Sequence, residues 1–294
     1  MIAPPEGDEL LVVVGPTATG KTELAISLCE ALGGEVIGAD SVQVYRGFDV
    51  GSGKPSAAEL ARAPHHLVDI AEPLDPIDAA RWAELAEASI DAVRARGRVP
   101  IVCGGTFLWI KALVSGLAPM PGADAAIRAR HAAIVESGGR AALHARLAEV
   151  DVPAAARLAP NDMVRVSRAL EVFELTGRTQ SELFREHGFG GSRHRPRFLG
   201  LQRTREELDA RIAARAAAWL GGGWIDEVRA LCARGYGEAR AMSSVGYRQV
   251  CDHLRGELPG DELLGAVVRA TRVFARRQRT WLRDLPVEWL PPGG

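Results

Sequence analysis

The sequence predicts an α/β fold of the P-loop NTPase-like kind, a parallel sheet flanked by helices with an inserted, mainly helical domain. Three observations predict it. Apolar β-branched runs alternate with helical periodicities over residues 10–105, a phosphate-loop pattern joins the first run to the first helix, and from Pro119 to about position 196 the apolar spacing turns helical.

Leu10–Val14 is apolar throughout and ends at a glycine, as a strand buried on both faces does. From Thr22 the period changes, with Leu24, Leu28 and Leu32 marking one helix face until Gly33-Gly34 stops it. Glu35–Ala39 reads as a second strand. Trp82, Leu85, Ala86, Ile90 and Val93 mark the next helix, and Val99–Cys103 a third strand ending at Gly104-Gly105. Within the insertion, Leu143, Leu147 and Val150 form one stripe, and Met163, Val166, Leu170 and Phe173 another that Gly177 closes. Gly188–Pro196 reads as a linker and Arg197–Leu201 as a returning strand. Thr204-Arg-Glu-Glu207 fits a capping box, opening a helix with the stripe Leu208, Ile212 and Trp219. A long helix over about Asp261–Arg283 and a short strand at Val287–Leu290 complete a core of residues 1–118 and 197–294 around an insertion of 119–196.

Of the 294 residues, 47% are hydrophobic and 25% charged, which excludes a disordered or collagen-like chain. The net charge of −1 hides a split: residues 1–117 carry 9 basic and 16 acidic side chains, residues 118–294 carry 27 and 21. The four cysteines have no metal-binding spacing, so reduced, mostly buried thiols are expected. The acidic, proline-containing start is unlike a signal peptide, and no apolar run is long enough to span a bilayer, so a cytoplasmic protein is expected.

Gly15-Pro16-Thr17-Ala18-Thr19-Gly20-Lys21-Thr22 fits G-x-x-x-x-G-K-[ST] between a strand and a helix, the context in which backbone N–H groups wrap a phosphate. Lys21 adds a point charge, and Thr22 is placed to ligate Mg²⁺. A nucleoside triphosphatase usually has an aspartate ending an apolar strand, whereas Val99–Cys103 runs into Gly-Gly-Thr. This weakens ATP hydrolysis and favours an enzyme in which diphosphate is a leaving group or the acceptor is held by other residues. A small-molecule nucleotide kinase and a non-catalytic phosphate-loop RNA-binding protein are the alternatives. Asp40, just after the second strand, is expected near the mouth of the loop, either as a proton acceptor or base-edge ligand or as a turn residue.

Gly15–Thr22, Asp40–Tyr45 with Asp49-Val-Gly-Ser-Gly-Lys-Pro, Gly104-Gly-Thr106, Ser244-Val-Gly-Tyr-Arg248 and Arg277-Gln-Arg-Thr-Trp281, in this order, resemble the tRNA dimethylallyltransferase family over nearly the whole chain. The resemblance implies transfer of a dimethylallyl group from dimethylallyl diphosphate to N6 of the adenosine 3′ of the anticodon, with release of diphosphate and Mg²⁺ as cofactor. It implies Asp40 as base, Lys21, Thr22 and Arg215 in the catalytic set, and Gly15–Thr22 around the diphosphate. It also implies contact with the tRNA anticodon stem-loop through Asp40, Ser41, Val42, Gln43, Thr106 and Arg128, through Val164, Arg165, Val166, Ser167 and Arg168, and through Ser243, Ser244, Val245, Gly246, Tyr247 and Arg248. A monomer is expected.

The residues bear on these implications unevenly. Arg165 and Arg168 form a basic pair on one helix, which two solvated arginines would also give. Arg215 falls on the apolar stripe of its own helix and so needs an anionic partner, either a core carboxylate or, by the resemblance, the diphosphate. Arg269, Arg272, Arg276, Arg279 and Arg283 form a ridge opposite Leu264, Val268, Thr271, Ala275, Gln278 and Leu282, suited to a phosphate backbone or to solvent. Trp219, Trp224 and Trp281 are expected in the core, and His65-His66 in a structural role. The chain departs from the family pattern at Ala18-Thr19, at Gly51-Ser-Gly-Lys54 and at Ser243-Ser244, where an arginine-cysteine pair can occur. The last departure removes a possible charge beside the substrate.

Overall fold

A computed structural model describes residues 2–191 and 194–291. The chain divides into two compact units, Met1–Val114 with Arg193–Gly294, and Ser115–Ser192.

The first unit is built on a six-stranded sheet with every pairing parallel: β1 (Glu9–Val14), β2 (Gly34–Ala39), β3 (His65–His66), β4 (Val99–Gly104), β5 (Arg195–Leu201) and β6 (Val287–Leu290), in the order β3-β2-β4-β1-β5-β6. The helices in chain order are α1 (Lys21–Leu32), α2 (Ala57–Arg62), α3 (Ala79–Ala95) and α4 (Phe107–Ser115), then α5 (Ala125–Val150), α6 (Val152–Arg157), α7 (Met163–Thr176) and α8 (Gln180–His187) in the second unit, and α9 (Arg205–Gly221), α10 (Trp224–Ala233), α11 (Tyr247–Leu254) and α12 (Gly260–Leu282) back in the first.

The central strands are apolar because both faces are covered, and Leu10 to Val14 have no exposed surface. Leu11 and Val13 pack with Leu24, Leu28, Ile101 and Leu199 in one cluster, where each fully buried aliphatic side chain contributes roughly 1.5–3 kcal/mol. Helix α1 stops at Gly33, whose φ of 65° suits a residue without Cβ and whose N–H bonds the Cys29 carbonyl. The Thr204 capping box is formed in full. Because β1 lies between β4 and β5 while the chain leaves it toward β2, the loop after β1 sits where the strand order reverses, the position at which open α/β sheets bind ligands.

Several expectations are corrected. Strand β5 begins at Arg195, inside the expected linker, since Glu9 and Leu10 pair with Arg195 and Pro196. Ser192 and Arg193 of that linker lie outside the described residues. The pair His65-His66 has the structural role expected of it, forming the short edge strand β3, with the His66 imidazole bonding the buried Glu35 carboxylate at 2.6 Å. On α12 the buried line runs through Leu263, Val267, Val268, Ala275, Gln278 and Leu282, leaving Leu264 exposed. Among the thiols Cys29 and Cys251 are buried, whereas Cys232 is exposed.

In the second unit, α5, α6 and α7 share a core of Leu143, Leu147, Ala154, Leu158, Val166 and Leu170. Gly139, at φ 75°, breaks α5 into two helical segments. Helix α7 ends on Gly177 in the left-handed region, as its sequence predicts.

Candidate active site

A cavity of about 270 Å³ opens at the carboxyl ends of β1, β2 and β4, lined on its polar side by Thr17, Asp40, Thr106 and Arg215. The phosphate loop reaches the cavity through Thr17. Gly20, at φ 104°, turns the chain into α1 without a side-chain cap, so the first N–H groups of the helix are left for an anion. Ala18 takes φ 68°, a conformation costly outside glycine, and the loop is fastened around it. Thr19 Oγ1 and Lys21 Nζ each donate to the Pro16 carbonyl at 2.9 Å, Arg211 Nε to Ala18 O at 2.7 Å and Arg203 Nε to Thr19 O at 3.3 Å. Thr22 is the second residue of α1 and half-buried.

Two cations converge on this loop. Burial pushes the Lys21 ammonium down to about 8, and the Arg215 guanidinium adds to the fall while Asp40 opposes it. Burial likewise lowers Arg215 to about 10, with Asp40 again opposing. Arg215 donates to Thr17 Oγ1 at 2.5 Å and lies 4.5 Å over the Trp219 ring. No carboxylate lies within ion-pair distance of it among the described residues, and Asp40 is the acid whose charge it feels. Binding an anion here would stabilise both charged forms at once.

Asp40 is a turn residue with one carboxylate oxygen left over. Oδ1 closes a turn by accepting from Val42 N at 2.9 Å and Gln43 N at 3.3 Å. Oδ2 meets no donor among the described residues, and the side chain lines the cavity. Ser41 N donates to Thr106 Oγ1 at 3.0 Å and Thr106 N to Ala39 O at 3.1 Å, fixing the acid's loop to the loop after β4. Gln43 holds the next segment, its Nε2 donating to Ser52 O and Gly53 O.

The apolar side of the cavity carries features that the sequence does not disclose. Trp224 is wedged between Gly51 and Gly246, where a Cβ would lie 1.9 and 2.1 Å from its indole, so both positions exclude any larger residue. Its Nε1 is buried without a partner among the described residues. Glu227, one helical turn on, accepts from Asp49 N at 3.0 Å, Val50 N at 2.6 Å and Tyr247 Oη at 2.6 Å. Burial, with the Glu227 charge second, drives the Tyr247 phenol far above its ordinary value, so it stays a neutral donor. From α12, Gln278 bonds both the phosphate loop and the loop after β4. A glutamate three residues after an indole carries no spacing signal.

The remaining candidates are distributed as follows. Ser243, Ser244 and Val245 line the cavity with Tyr247, Ser243 at its exposed edge, while Arg248 is exposed and Gly246 is buried under Trp224. In the second unit Val164 and Arg165 are exposed. Val166 and Ser167 are buried, Ser167 Oγ bonding His131 Nδ1 at 2.9 Å, so these two side chains do not reach the surface. Arg128 and Arg168 both bind Glu171, which has no exposed surface. Burial raises that carboxyl, but the two guanidiniums and the Asp124 N–H outweigh it and hold Glu171 at about 2. Arg165 pairs with Asp162 at 3.5 Å. The basic pair on α7 is thus individually tethered. All five ridge arginines of α12 are exposed, and Arg272 alone pairs with an acid, Asp209, among the described residues. Trp281 is exposed rather than core, stacked on Phe107. No group of three or more His, Cys, Asp or Glu is placed to hold a metal among the described residues, and no helix among them is long and apolar enough to cross a membrane.

The family model described as IPP transferase matches residues 43–285. The chain is 68% identical over 289 residues to a tRNA dimethylallyltransferase of Sorangium cellulosum (98% of this chain, 92% of the relative), and 47% identical over 284 residues to one of Geobacter sulfurreducens (96% and 91%). Among solved structures it is similar to a full-length tRNA isopentenylpyrophosphate transferase of Bacillus halodurans, with TM-score 0.71, 36% identity and coverage of 97% and 90%. It is also similar to a eukaryotic dimethylallyltransferase captured acting on tRNA, with TM-score 0.80, 25% identity and coverage of 97% and 74%. A phosphate loop with paired cations facing a half-engaged carboxylate, joined to these relationships along almost its full length, means that the chain belongs to the IPP transferase family, the tRNA dimethylallyltransferases.

Proposed function

We propose that the protein transfers a dimethylallyl group from dimethylallyl diphosphate to N6 of the adenosine 3′ of the anticodon in tRNA, working as a cytoplasmic monomer that engages the anticodon stem-loop. The observation that carries this reading is one cavity in which Thr17 of the phosphate loop and Arg215 face a carboxylate with a free oxygen, with Lys21 close behind the loop. The reacting nitrogen forms a bond to C1 of the prenyl group while the C1–O bond to diphosphate breaks, and the N6 proton passes to Asp40. An exocyclic amine conjugated to a purine is a weak nucleophile, so proton acceptance as the bond forms lowers the barrier. Lys21, Arg215 and the N–H groups at the start of α1 take up the charge that grows on the leaving diphosphate. Strand β4 runs into Gly105 and Thr106 rather than into an aspartate of the kind that positions Mg²⁺ in nucleoside triphosphatases, which suits a reaction in which diphosphate is the leaving group.

The donor set agrees with Mg²⁺ as cofactor. Mg²⁺ retains several waters and takes few protein ligands beside phosphate oxygens, a demand that the Thr22 hydroxyl and a bound diphosphate meet without an acidic cluster. When bound it would neutralise charge on the leaving group. The adenosine must leave its stack to reach the strand ends, and Ser41, Thr106 and Ser244 offer polar atoms around its path. Phosphate contacts are assigned to the exposed arginines of α12 and to Arg165 and Arg248.

The test incubates the protein with unmodified tRNA, Mg²⁺ and either dimethylallyl diphosphate or ATP, then analyses digested nucleosides. N6-dimethylallyladenosine formed only with the diphosphate is the expected result. Phosphorylation from ATP, or tRNA binding without either product, would overturn the reading.

A further inference from the structure

The buried amide of Gln278 stands between the two halves of the cavity. It is 4% exposed, on the face of α12 that also presents Thr271 and Phe274 to the cavity. Its Oε1 accepts from Thr17 N at 2.8 Å, in the middle of the phosphate loop, and its Nε2 donates to Gly105 O at 3.0 Å, in the loop after β4. Each end of the amide is therefore matched to a main-chain group of opposite kind. Reversing the amide would set NH₂ against N–H and carbonyl against carbonyl, so one orientation alone satisfies both loops.

The approach is close. A Cβ on Gly105 would lie 2.4 Å from Nε2. Gly105 is followed by Thr106, whose Oγ1 accepts from Ser41 N at 3.0 Å, and Ser41 adjoins Asp40. On the other side Thr17 accepts from Arg215 through its hydroxyl and gives its N–H to Gln278. A continuous hydrogen-bonded path thus runs from the cations of the diphosphate cradle through Gln278 to the loop of the carboxylate.

Strands β1 and β4 are neighbours, with Val13 opposite Cys103, and the sheet fixes their bodies. Beyond their ends the two loops have no main-chain ladder, and their separation sets the distance between prenyl carbon and acceptor nitrogen. We propose that Gln278 is a positioning residue for the transfer, holding the diphosphate loop and the acceptor loop at the separation that the reaction needs. This rests on the prenyl-transfer reading of the cavity. Both ends of the Gln278 amide are engaged by main chain, so its removal acts on alignment, where a displacement of about 1 Å costs on the order of 10²-fold in rate.

The experiment measures steady-state and single-turnover prenyl transfer to unmodified tRNA by wild type, Gln278→Met, Gln278→Glu and Gly105→Ala, with thermal unfolding of each. Glutamate keeps an acceptor for Thr17 N but has no donor for Gly105 O. Gly105→Ala presses on the same contact from the other side, at a backbone conformation outside the left-handed region, and carries the test should a Gln278 variant fail to fold. The expected result is a fall in kcat of about 10- to 100-fold for Gln278→Met, with KM for each substrate within about threefold of wild type, and a fall at least as large for Gln278→Glu, whose buried carboxylate faces the Gly105 carbonyl. The double variant Gln278→Met/Gly105→Ala should lose no more than the worse single variant, because one bridge is broken twice. Unchanged kcat in folded variants, a loss confined to KM, or losses that multiply in the double variant would overturn the proposal. Absence of transfer by wild type would instead sink the functional reading beneath it.

Discussion

Replacing Asp40 by Asn separates chemistry from structure more cleanly than any other change in the cavity. Asn is nearly isosteric, and its Oδ1 can accept from Val42 N and Gln43 N as the carboxylate does. The turn is therefore retained. What disappears is the basic oxygen Oδ2, now an NH₂ that cannot take a proton from N6. Positioned general bases contribute about 10²–10⁴ in rate, so kcat should fall by that factor, equivalent to about 3–5 kcal/mol of barrier. A second consequence follows from charge: Asp40 opposes the lowering of both Lys21 and Arg215. Without it the Lys21 pKa falls below about 8, and diphosphate affinity begins to weaken at a lower pH than in wild type. The assay is single-turnover transfer with enzyme in excess, beside tRNA binding measured alone, which should stay within about threefold of wild type. Turnover within a factor of three of wild type would remove Asp40 from the role of base.

Three further outcomes are expected. In the free protein Lys21 titrates near 8, below its ordinary 10.5, so between those values the folded chain holds fewer protons than the unfolded one; the cost of burying its charge is present below pH 8 and relieved as pH rises. Diphosphate affinity has the opposite slope, weakening by up to about tenfold per pH unit above 8, and a flat profile by titration calorimetry, or the same slope in Lys21→Met, would contradict it. Glu227→Gln leaves at least one of the N–H groups of Asp49 and Val50 or the Tyr247 hydroxyl badly matched, costing about 1–3 kcal/mol in urea unfolding; an unchanged midpoint would show that the loop does not depend on it. Arg276→Gln with Arg279→Gln should weaken tRNA binding across sequences and reduce the slope of log affinity against log salt by about one for each phosphate no longer neutralised, whereas an unaltered slope would return the ridge to solvent.

The parts legible in the sequence are those whose cause is local. Leu10–Val14 must be covered on both faces wherever it sits, the glycines and Lys21 of the phosphate loop announce their own geometry, and the Thr204 box caps its helix with residues three apart. Arg215 is legible as a charge on an inward face, though its neighbours Thr17 and Trp219 are not. Gln278 is marked in the sequence by its motif and its place opposite the arginines, but its partner Thr17 lies 261 residues away and is not legible, and Glu227, whose partner Val50 lies 177 residues away, looks like an ordinary polar residue on an amphipathic helix. Strand β3 is hidden because two histidines carry no alternation to read. The glycines at 51 and 246 acquire their meaning only from Trp224, which no short-range pattern places between them.

The claim at the centre is that one cavity joins diphosphate departure to carbon–nitrogen bond formation on tRNA. The most direct measurement counts both products in a single turnover, diphosphate released and N6-dimethylallyladenosine formed, and maps the modified nucleotide. Equal amounts, with all of the product at the adenosine 3′ of the anticodon, are predicted. Diphosphate released without modified nucleoside, or product at another position, would contradict the account.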